Sequence, residues 1–88
     1  MHITSEEILL YNGYEGVKYL TNYSYDTALI GVSEDNRAVY DFDKMVEWLV
    51  KTEGFTCEEA VEWIEHNTIR ALPYFGDDAP IIMYRLEI

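Results

Sequence analysis

The chain has 88 residues and a mass of 10.3 kDa, which predicts a single domain over residues 1–88. Hydrophobic residues make up 49% of the chain, so we expect a folded core and no intrinsic disorder. The 17 acidic and 6 basic residues give a formal net charge of -11, which disfavours direct nucleic-acid binding because Lys and Arg supply the affinity for phosphates. The same charge favours a partner protein with a basic surface, although solubility alone also explains an acidic composition.

Cysteine usage and the N-terminal sequence bear on localisation. The single cysteine, Cys57, excludes an internal disulfide and a cysteine-rich zinc site. The N-terminus lacks a basic segment followed by an apolar run, and no apolar run has the length of a membrane span. We therefore expect a cytoplasmic protein that does not bind a membrane.

The first predicted element is a short helix from about Ser5 to Tyr11. Thr4 and Glu7 match a capping box, and the pair Asn12-Gly13 is typical of a helix end. Residues 13–26 then form an irregular or hairpin-like segment with four of the eight tyrosines, which are Tyr14, Tyr19, Tyr23 and Tyr25. These rings either pack on the domain or contact a partner, and the sequence does not decide between the two.

Three strands are predicted. The β-prone runs 27–32 and 38–40 are joined by a polar stretch with Asp35-Asn36, which indicates an antiparallel hairpin. Gly31 inside the first run predicts a bulge or a close contact. A turn over residues 76–80 precedes a third β-prone run, 81–88, which we expect to join the hairpin.

Two amphipathic helices are predicted between the second and third strands. Asp41 is the N-cap of the first helix, which ends near Gly54, and its apolar stripe consists of Phe42, Met45, Val46, Leu49 and Val50. Thr56 and Glu59 form a second capping box, and the stripe of the second helix consists of Cys57, Ala60, Val61, Ile64, Thr68 and Ala71. We interpret Cys57 as a small core residue.

These elements predict an α+β fold. It has a small, mainly antiparallel three-stranded sheet, a helical hairpin packed on one face of the sheet and a short N-terminal helix.

No pattern in the chain indicates catalysis. Glu58, Glu62 and His66 have a spacing at which a helix can present metal ligands, but a solvated helix face produces the same pattern. Phosphate-binding glycine loops and nucleophile elbows are absent from the sequence. We predict that the protein is not an enzyme, with no catalytic residues, no cofactor and no metal ligands.

The residues predicted to contact a protein lie on the two helices. They are Asp41, Asp43, Glu47, Trp48, Glu58, Glu62 and Trp63. The carboxylates supply charge for a basic partner. The two tryptophans lie at the borders of the apolar stripes, where they either cover the core edge or form a shared contact surface.

Four strings of the sequence, ALIGV, AVYDFDK, EEAVEWIEHNTIRA and GDDAPII, resemble a family of small uncharacterised proteins of bacteria, archaea and their phages or mobile elements. The resemblance spans roughly residues 27–82 and implies no established activity; Arg70 departs from its pattern. We expect a phage or mobile-element accessory protein that binds a host protein through an acidic surface, as a nucleic-acid mimic or an anti-defence inhibitor similar to anti-CRISPR proteins. The alternative is a homo-oligomeric assembly module, for instance a homodimer, with an aromatic interface.

Overall fold

The computed structural model describes residues 3–87 and has an α+β fold. Its elements in chain order are α1 (Ser5–Tyr11), a 3₁₀ turn (Asp26–Ala28), β1 (Leu29–Val32), β2 (Ala38–Asp41), α2 (Phe42–Glu53), α3 (Cys57–Trp63), a π-helical segment (Ile64–Thr68), α4 (Ile69–Ala71), a second 3₁₀ segment (Leu72–Phe75) and β3 (Ile81–Met83).

The sheet is mixed, so the prediction of a mainly antiparallel sheet is wrong. Its strand order is β1-β2-β3, and β2 pairs antiparallel with β1 but parallel with β3. The two hairpin strands are joined by a short turn, which requires antiparallel pairing. Between β2 and β3, by contrast, the chain passes through the helices from α2 to α4. A crossover of this length allows β3 to run parallel to β2.

Two strands are shorter than predicted. Thr27 and Ala28 belong to the 3₁₀ turn, so β1 begins at Leu29. Strand β3 ends at Met83, and Ile88, the last residue of the predicted third strand, lies outside the described residues. The register of the β1–β2 pair shifts between Leu29 and Gly31, which confirms the predicted bulge. The residue that the bulge accommodates is Ile30.

The helix ends follow the predicted caps. Thr4 and Glu7 form the capping box of α1, and Thr56 and Glu59 form that of α3. Asp41 is the last residue of β2 and also the N-cap of α2. Gly54 ends α2 in the left-handed region, at φ 73°, which a glycine adopts without the steric cost of a side chain.

The second predicted helix is not uniform. Its α-helical hydrogen bonding stops at Trp63 and gives way to the π-helical segment, which is followed by α4. The predicted stripe nevertheless continues inward across this change, because Ala60, Ile64 and Thr68 are all buried. Cys57 is the exception: it is exposed, so its assignment as a core residue is wrong. As the first residue of α3 it lies in the capping turn at the helix end, away from the packed part of the stripe.

The core is one cluster of buried side chains contributed by the sheet, the helices and the tyrosine-rich segment. Its members are Leu20, Tyr25, Ala28, Ala38, Tyr40, Met45, Leu49, Ala60 and Ile64. Both α2 and α3 therefore contribute to the same core as the central strand β2.

Candidate protein-binding surface

The seven residues predicted to contact a protein occupy three different environments. Asp41 is buried at the start of α2. Trp48 and Trp63 are half-buried and pack against the core. The other four, Asp43, Glu47, Glu58 and Glu62, are exposed.

Asp41 is fully used inside the fold. Its carboxylate accepts a hydrogen bond from the backbone N–H of Lys44 at 3.2 Å and one from Nε of Arg85 at 2.6 Å. Burial opposes ionisation of Asp41, but Arg85 and the backbone N–H groups of α2 outweigh burial and lower the pKa of this carboxyl. Asp41 therefore stabilises α2 and holds the C-terminal segment, and it is not available to a partner.

The two tryptophans meet in an aromatic cluster around Tyr23. The Tyr23 ring lies 5.9 Å from Trp48 and 5.4 Å from Trp63, and Phe55 is 6.3 Å from Tyr23. Tyr25 completes the cluster, 5.5 Å from Trp48. These distances are those of interacting aromatic pairs. The tryptophans thus cover the edge of the core, which is one of the two roles considered for them.

The tyrosines of residues 13–26 divide between the core and the surface. Tyr25 is completely buried, Tyr23 and Tyr19 are half-buried, and Tyr14 is 39% exposed. The Tyr25 hydroxyl forms a buried hydrogen bond of 2.7 Å with Oγ1 of Thr68. Burial raises the pKa of Tyr25, and the hydrogen bond to Thr68 opposes this rise only in part. The indole N–H of Trp63 is also buried and lies near the Tyr25 hydroxyl. Among residues 3–87 this N–H has no hydrogen-bond partner of acceptable geometry.

A buried polar cluster joins α1 to the sheet, and sequence reasoning missed it. Ser5 donates to Oδ1 of Asp26 through its backbone N–H at 2.8 Å and its hydroxyl at 2.7 Å. The hydroxyl of Tyr40 accepts from the backbone N–H of Leu20 at 3.0 Å and lies 3.5 Å from the Ser5 hydroxyl. Burial raises the pKa of Tyr40, which keeps the phenol protonated. Only the isolated Asp26 at the edge of a β-prone run hinted at this cluster in the sequence.

The four exposed carboxylates differ from Asp41 in their ion pairing. Asp43, Glu47, Glu58 and Glu62 form no ion pair with any of residues 3–87. The basic residues Lys18, Arg37 and Arg85 pair instead with Asp78, Asp35 and Asp41. Carboxylates without an ion pair in the folded chain can form ion pairs with the Lys and Arg side chains of a partner protein.

The negative charge is concentrated on α3 and not shared equally with α2. On α2, the exposed acids Asp43 and Glu47 alternate with the exposed bases Lys44 and Lys51. Between Lys51 and Arg70, by contrast, the sequence contains no Lys or Arg and five acids, which are Glu53, Glu58, Glu59, Glu62 and Glu65. All five are exposed. We call Glu58, Glu59 and Glu62 of α3, together with Glu65 of the π-helical segment that follows it, the α3 acidic face.

A groove on α2 places two of the predicted residues side by side. Glu47 and Trp48 line it together with Thr27, Lys44, Lys51 and Thr52, and its volume is about 630 Å³. The two lysines offset the charge of Glu47, so this groove does not extend the α3 acidic face.

Two further properties of residues 3–87 concern metals and membranes. No group of three or more His, Cys, Asp or Glu side chains in this range is placed to hold a metal ion, and this includes Glu58, Glu62 and His66. The described helices are too short or too polar to cross a bilayer.

Comparison with protein-family models, with curated proteins and with solved structures finds no match to this chain. The family resemblance of the sequence therefore stays a prediction.

Proposed function

We propose that this protein acts by binding a partner protein that carries a basic surface, and that the α3 acidic face is the centre of the contact. The observation that carries the proposal is the row of exposed carboxylates without internal ion pairs between Lys51 and Arg70. Such a row competes for the Lys and Arg side chains with which a nucleic-acid-binding protein holds phosphates. The cellular role that follows is a nucleic-acid mimic or an anti-defence inhibitor made by a phage or mobile element.

The spacing on α3 supports this role. Glu58 and Glu62 are one helical turn apart, so their Cα atoms are separated by about 6 Å along the axis. They lie on the same side of the helix, where they can engage neighbouring cations together. Thr56 and Glu59 cap the first turn and Ala60 is buried in the core, so the backbone that carries these carboxylates is held in place.

The proposal includes the predicted arrangement of α2 and α3 as a helical hairpin on one face of the sheet. Support comes from Met45 and Leu49 of α2 and Ala60 of α3, which share the buried cluster with Tyr40 of β2. The connection between the two helices is short, because α2 ends at Glu53 and α3 begins at Cys57. In this arrangement Trp48 and Trp63 contribute to binding indirectly, because they fix the helices, whereas Glu58 and Glu62 contact the partner.

The experiment compares two charge reversals of equal size in affinity capture from cells that host the element. The test variant is Glu58→Lys/Glu62→Lys, and the control is Glu15→Lys/Glu34→Lys, which changes two exposed acids outside the α3 acidic face. We expect the wild type and the control to retain the same basic protein, and the test variant to lose it. Retention should fail in about 0.5 M NaCl, because exposed charge pairs are screened at that ionic strength.

A second measurement tests the mimicry itself. The captured partner should release bound DNA or RNA when the wild-type protein is added, but not when Glu58→Lys/Glu62→Lys is added. Equal capture by the two double variants would contradict a role for the α3 acidic face. If the partner is captured but its bound DNA or RNA is not released, the proposed nucleic-acid mimicry is wrong. The proposed binding of a basic protein would still stand.

A further inference from the structure

The groove on α2 carries unpaired positive charge in a chain that is strongly acidic. Of the six Lys and Arg residues, three form ion pairs with Asp side chains within residues 3–87. Two of the others, Lys44 and Lys51, line this groove, and neither forms an ion pair with any residue in that range. The groove contains one acid, Glu47, so its lysines outnumber its carboxylates. It therefore fits an acidic occupant.

The two lysines lie on the same side of α2, with Trp48 between them. Lys44, Trp48 and Lys51 follow the spacing i, i+4, i+7, which places one lysine about a turn before the indole and the other about a turn after it. The lysines are therefore about 10 Å apart along the helix axis. Trp48 is half-buried and lines the groove, so part of its ring is available for an apolar contact between the two charges.

The α3 acidic face matches this arrangement in charge and in spacing. Glu58, Glu62 and Glu65 repeat the spacing i, i+4, i+7 in the sequence, and all three are exposed without an ion pair among residues 3–87. Suppose that α3 and the π-helical segment of one copy lie along α2 of another. Glu58 and Glu65 can then each reach one lysine, because the lysine side chain is long and flexible.

A second copy of the chain supplies the acidic occupant. Although α2 and α3 follow each other in the chain, no ion pair joins the lysines of α2 to the α3 acidic face within residues 3–87. Every copy thus has both sets of charges free, and contact between copies pairs them with opposite signs. The net charge of -11 opposes this approach. At physiological ionic strength, however, repulsion between exposed charges is screened beyond about 8 Å, whereas ion pairs partly buried in a groove are screened much less.

We propose that the α2 groove is a self-association site, in which Lys44 and Lys51 of one copy bind Glu58 and Glu65 of a second copy. The two surfaces differ, so each copy can provide a groove for one neighbour and an acidic face for another. This contact does not rest on the proposed function, because it needs no protein other than this chain. It does occupy the α3 acidic face, so self-association and the binding of a basic protein compete for that face.

The test is sedimentation equilibrium of the purified full chain at about 0.15 M NaCl. We expect the average mass to rise above 10.3 kDa as the concentration increases from about 0.01 mM to about 1 mM. Lys44→Glu/Lys51→Glu should weaken the association about tenfold or more, because two attractions become repulsions. This variant keeps the α3 acidic face, so it should still capture the basic partner. The two proposals therefore fail separately, one in the purified chain and the other in affinity capture.

A charge swap separates this specific contact from a general effect of charge. The chain with Lys44→Glu/Lys51→Glu/Glu58→Lys/Glu65→Lys has the same formal net charge as the wild type, with the signs of the two surfaces exchanged. Its groove and its α3 face again attract each other across two copies. It should therefore recover most of the association that Lys44→Glu/Lys51→Glu loses.

The matched control combines the two lysine reversals with Glu15→Lys/Glu34→Lys, at exposed positions outside the α2 groove and the α3 acidic face. Its net charge is also that of the wild type, but both of its surfaces are acidic. It should associate as weakly as the chain with the lysine reversals alone. Circular dichroism should show all of these variants folded.

A measurement on the wild type does not depend on any variant. A carbodiimide condenses a lysine amine with an adjacent carboxylate to an amide, and the water that is lost goes to the reagent. In a mixture of isotope-labelled and unlabelled chains, Lys44 or Lys51 of one chain should become linked to Glu58 or Glu65 of the other.

Three results would overturn the proposal. The first is a chain that stays monomeric over the whole concentration range, which would leave the groove to an acidic ligand other than this chain. The second is a charge-swapped chain that associates no better than its matched control. The third is a set of crosslinks between labelled and unlabelled chains that does not include the lysines of the α2 groove.

Discussion

Arg85 donates from Nε to the Asp41 carboxylate at 2.6 Å and so ties the segment after β3 to the first turn of α2. The Asp41 side chain is buried, whereas that of Arg85 is 50% exposed. Tyr84, the residue before Arg85, stacks on Phe42 with ring centroids 4.9 Å apart. Two neighbouring pairs of side chains therefore join residues that are more than 40 positions apart in the sequence.

The Asp41 contacts predict how stability depends on pH. The folded-state pKa of Asp41 is lowered, so its charged interactions stabilise the fold above the unfolded pKa of about 3.9 and are lost as pH falls through the lower folded pKa. At pH 7, Asp41→Asn should lower the free energy of unfolding by about 1–2 kcal/mol. Urea unfolding should show this difference shrinking towards pH 2. The control Asp43→Asn, at an exposed position, should change little, and equal effects of the two substitutions would refute the assignment.

The hydrogen bond between Tyr25 and Thr68 gives a second prediction. Tyr25→Phe leaves the buried Thr68 hydroxyl without this partner and should destabilise the fold by about 1–2 kcal/mol. Thr68→Val should cost a similar amount for the same reason. In the double variant the two losses should not add, because both single changes remove one shared interaction. Strict additivity in denaturant unfolding would mean that the two hydroxyls do not interact.

Tyr23 offers a test of the aromatic cluster. Tyr23→Ala removes the ring that contacts both tryptophans and should lower the free energy of unfolding by about 3 kcal/mol. Emission from Trp48 and Trp63 should shift to longer wavelength as water reaches them. The control Tyr74→Ala changes a ring that is 91% exposed and should leave both stability and emission unchanged. A variant at Tyr23 with wild-type emission would count against the cluster.

The exposed thiol of Cys57 predicts reactivity in the native protein. A disulfide reagent should modify Cys57 fully without denaturant, because the side chain is accessible. Cys57→Ser should change the free energy of unfolding by no more than about 0.5 kcal/mol, as expected for a surface position. Modification that requires unfolding would instead support the core position that the helical stripe suggested.

Local patterns in the sequence predicted the local structure well. Thr4 with Glu7, and Thr56 with Glu59, form their capping boxes with residues three positions away, so no distant part of the chain is needed. The same is true of Gly54, whose left-handed conformation ends α2. Apolar spacing also identified Met45, Leu49, Ala60 and Ile64 as buried, because one face of an amphipathic helix must leave water.

The candidate surface was predicted in part. Glu58 and Glu62 are exposed as expected, since their positions follow from helical spacing. Asp41 is not, because its partner Arg85 comes from a distant segment, and Glu47 is offset by Lys44 and Lys51 in the same groove. Whether these carboxylates bind a protein stays a prediction.

Residues within a few positions of one another were enough to predict α1, α2, the caps and the central part of each buried stripe, because these features depend on local contacts. The tertiary structure decided the parallel pairing of β3 with β2, the exposure of Cys57 and the burial of Asp41 beside Arg85. It also decided that Trp48 and Trp63 pack around Tyr23. Each of these features depends on which distant segments come into contact when the core forms. Hydrophobic burial drives those contacts, but it is non-directional, so the apolar pattern of the sequence does not specify which segments become neighbours.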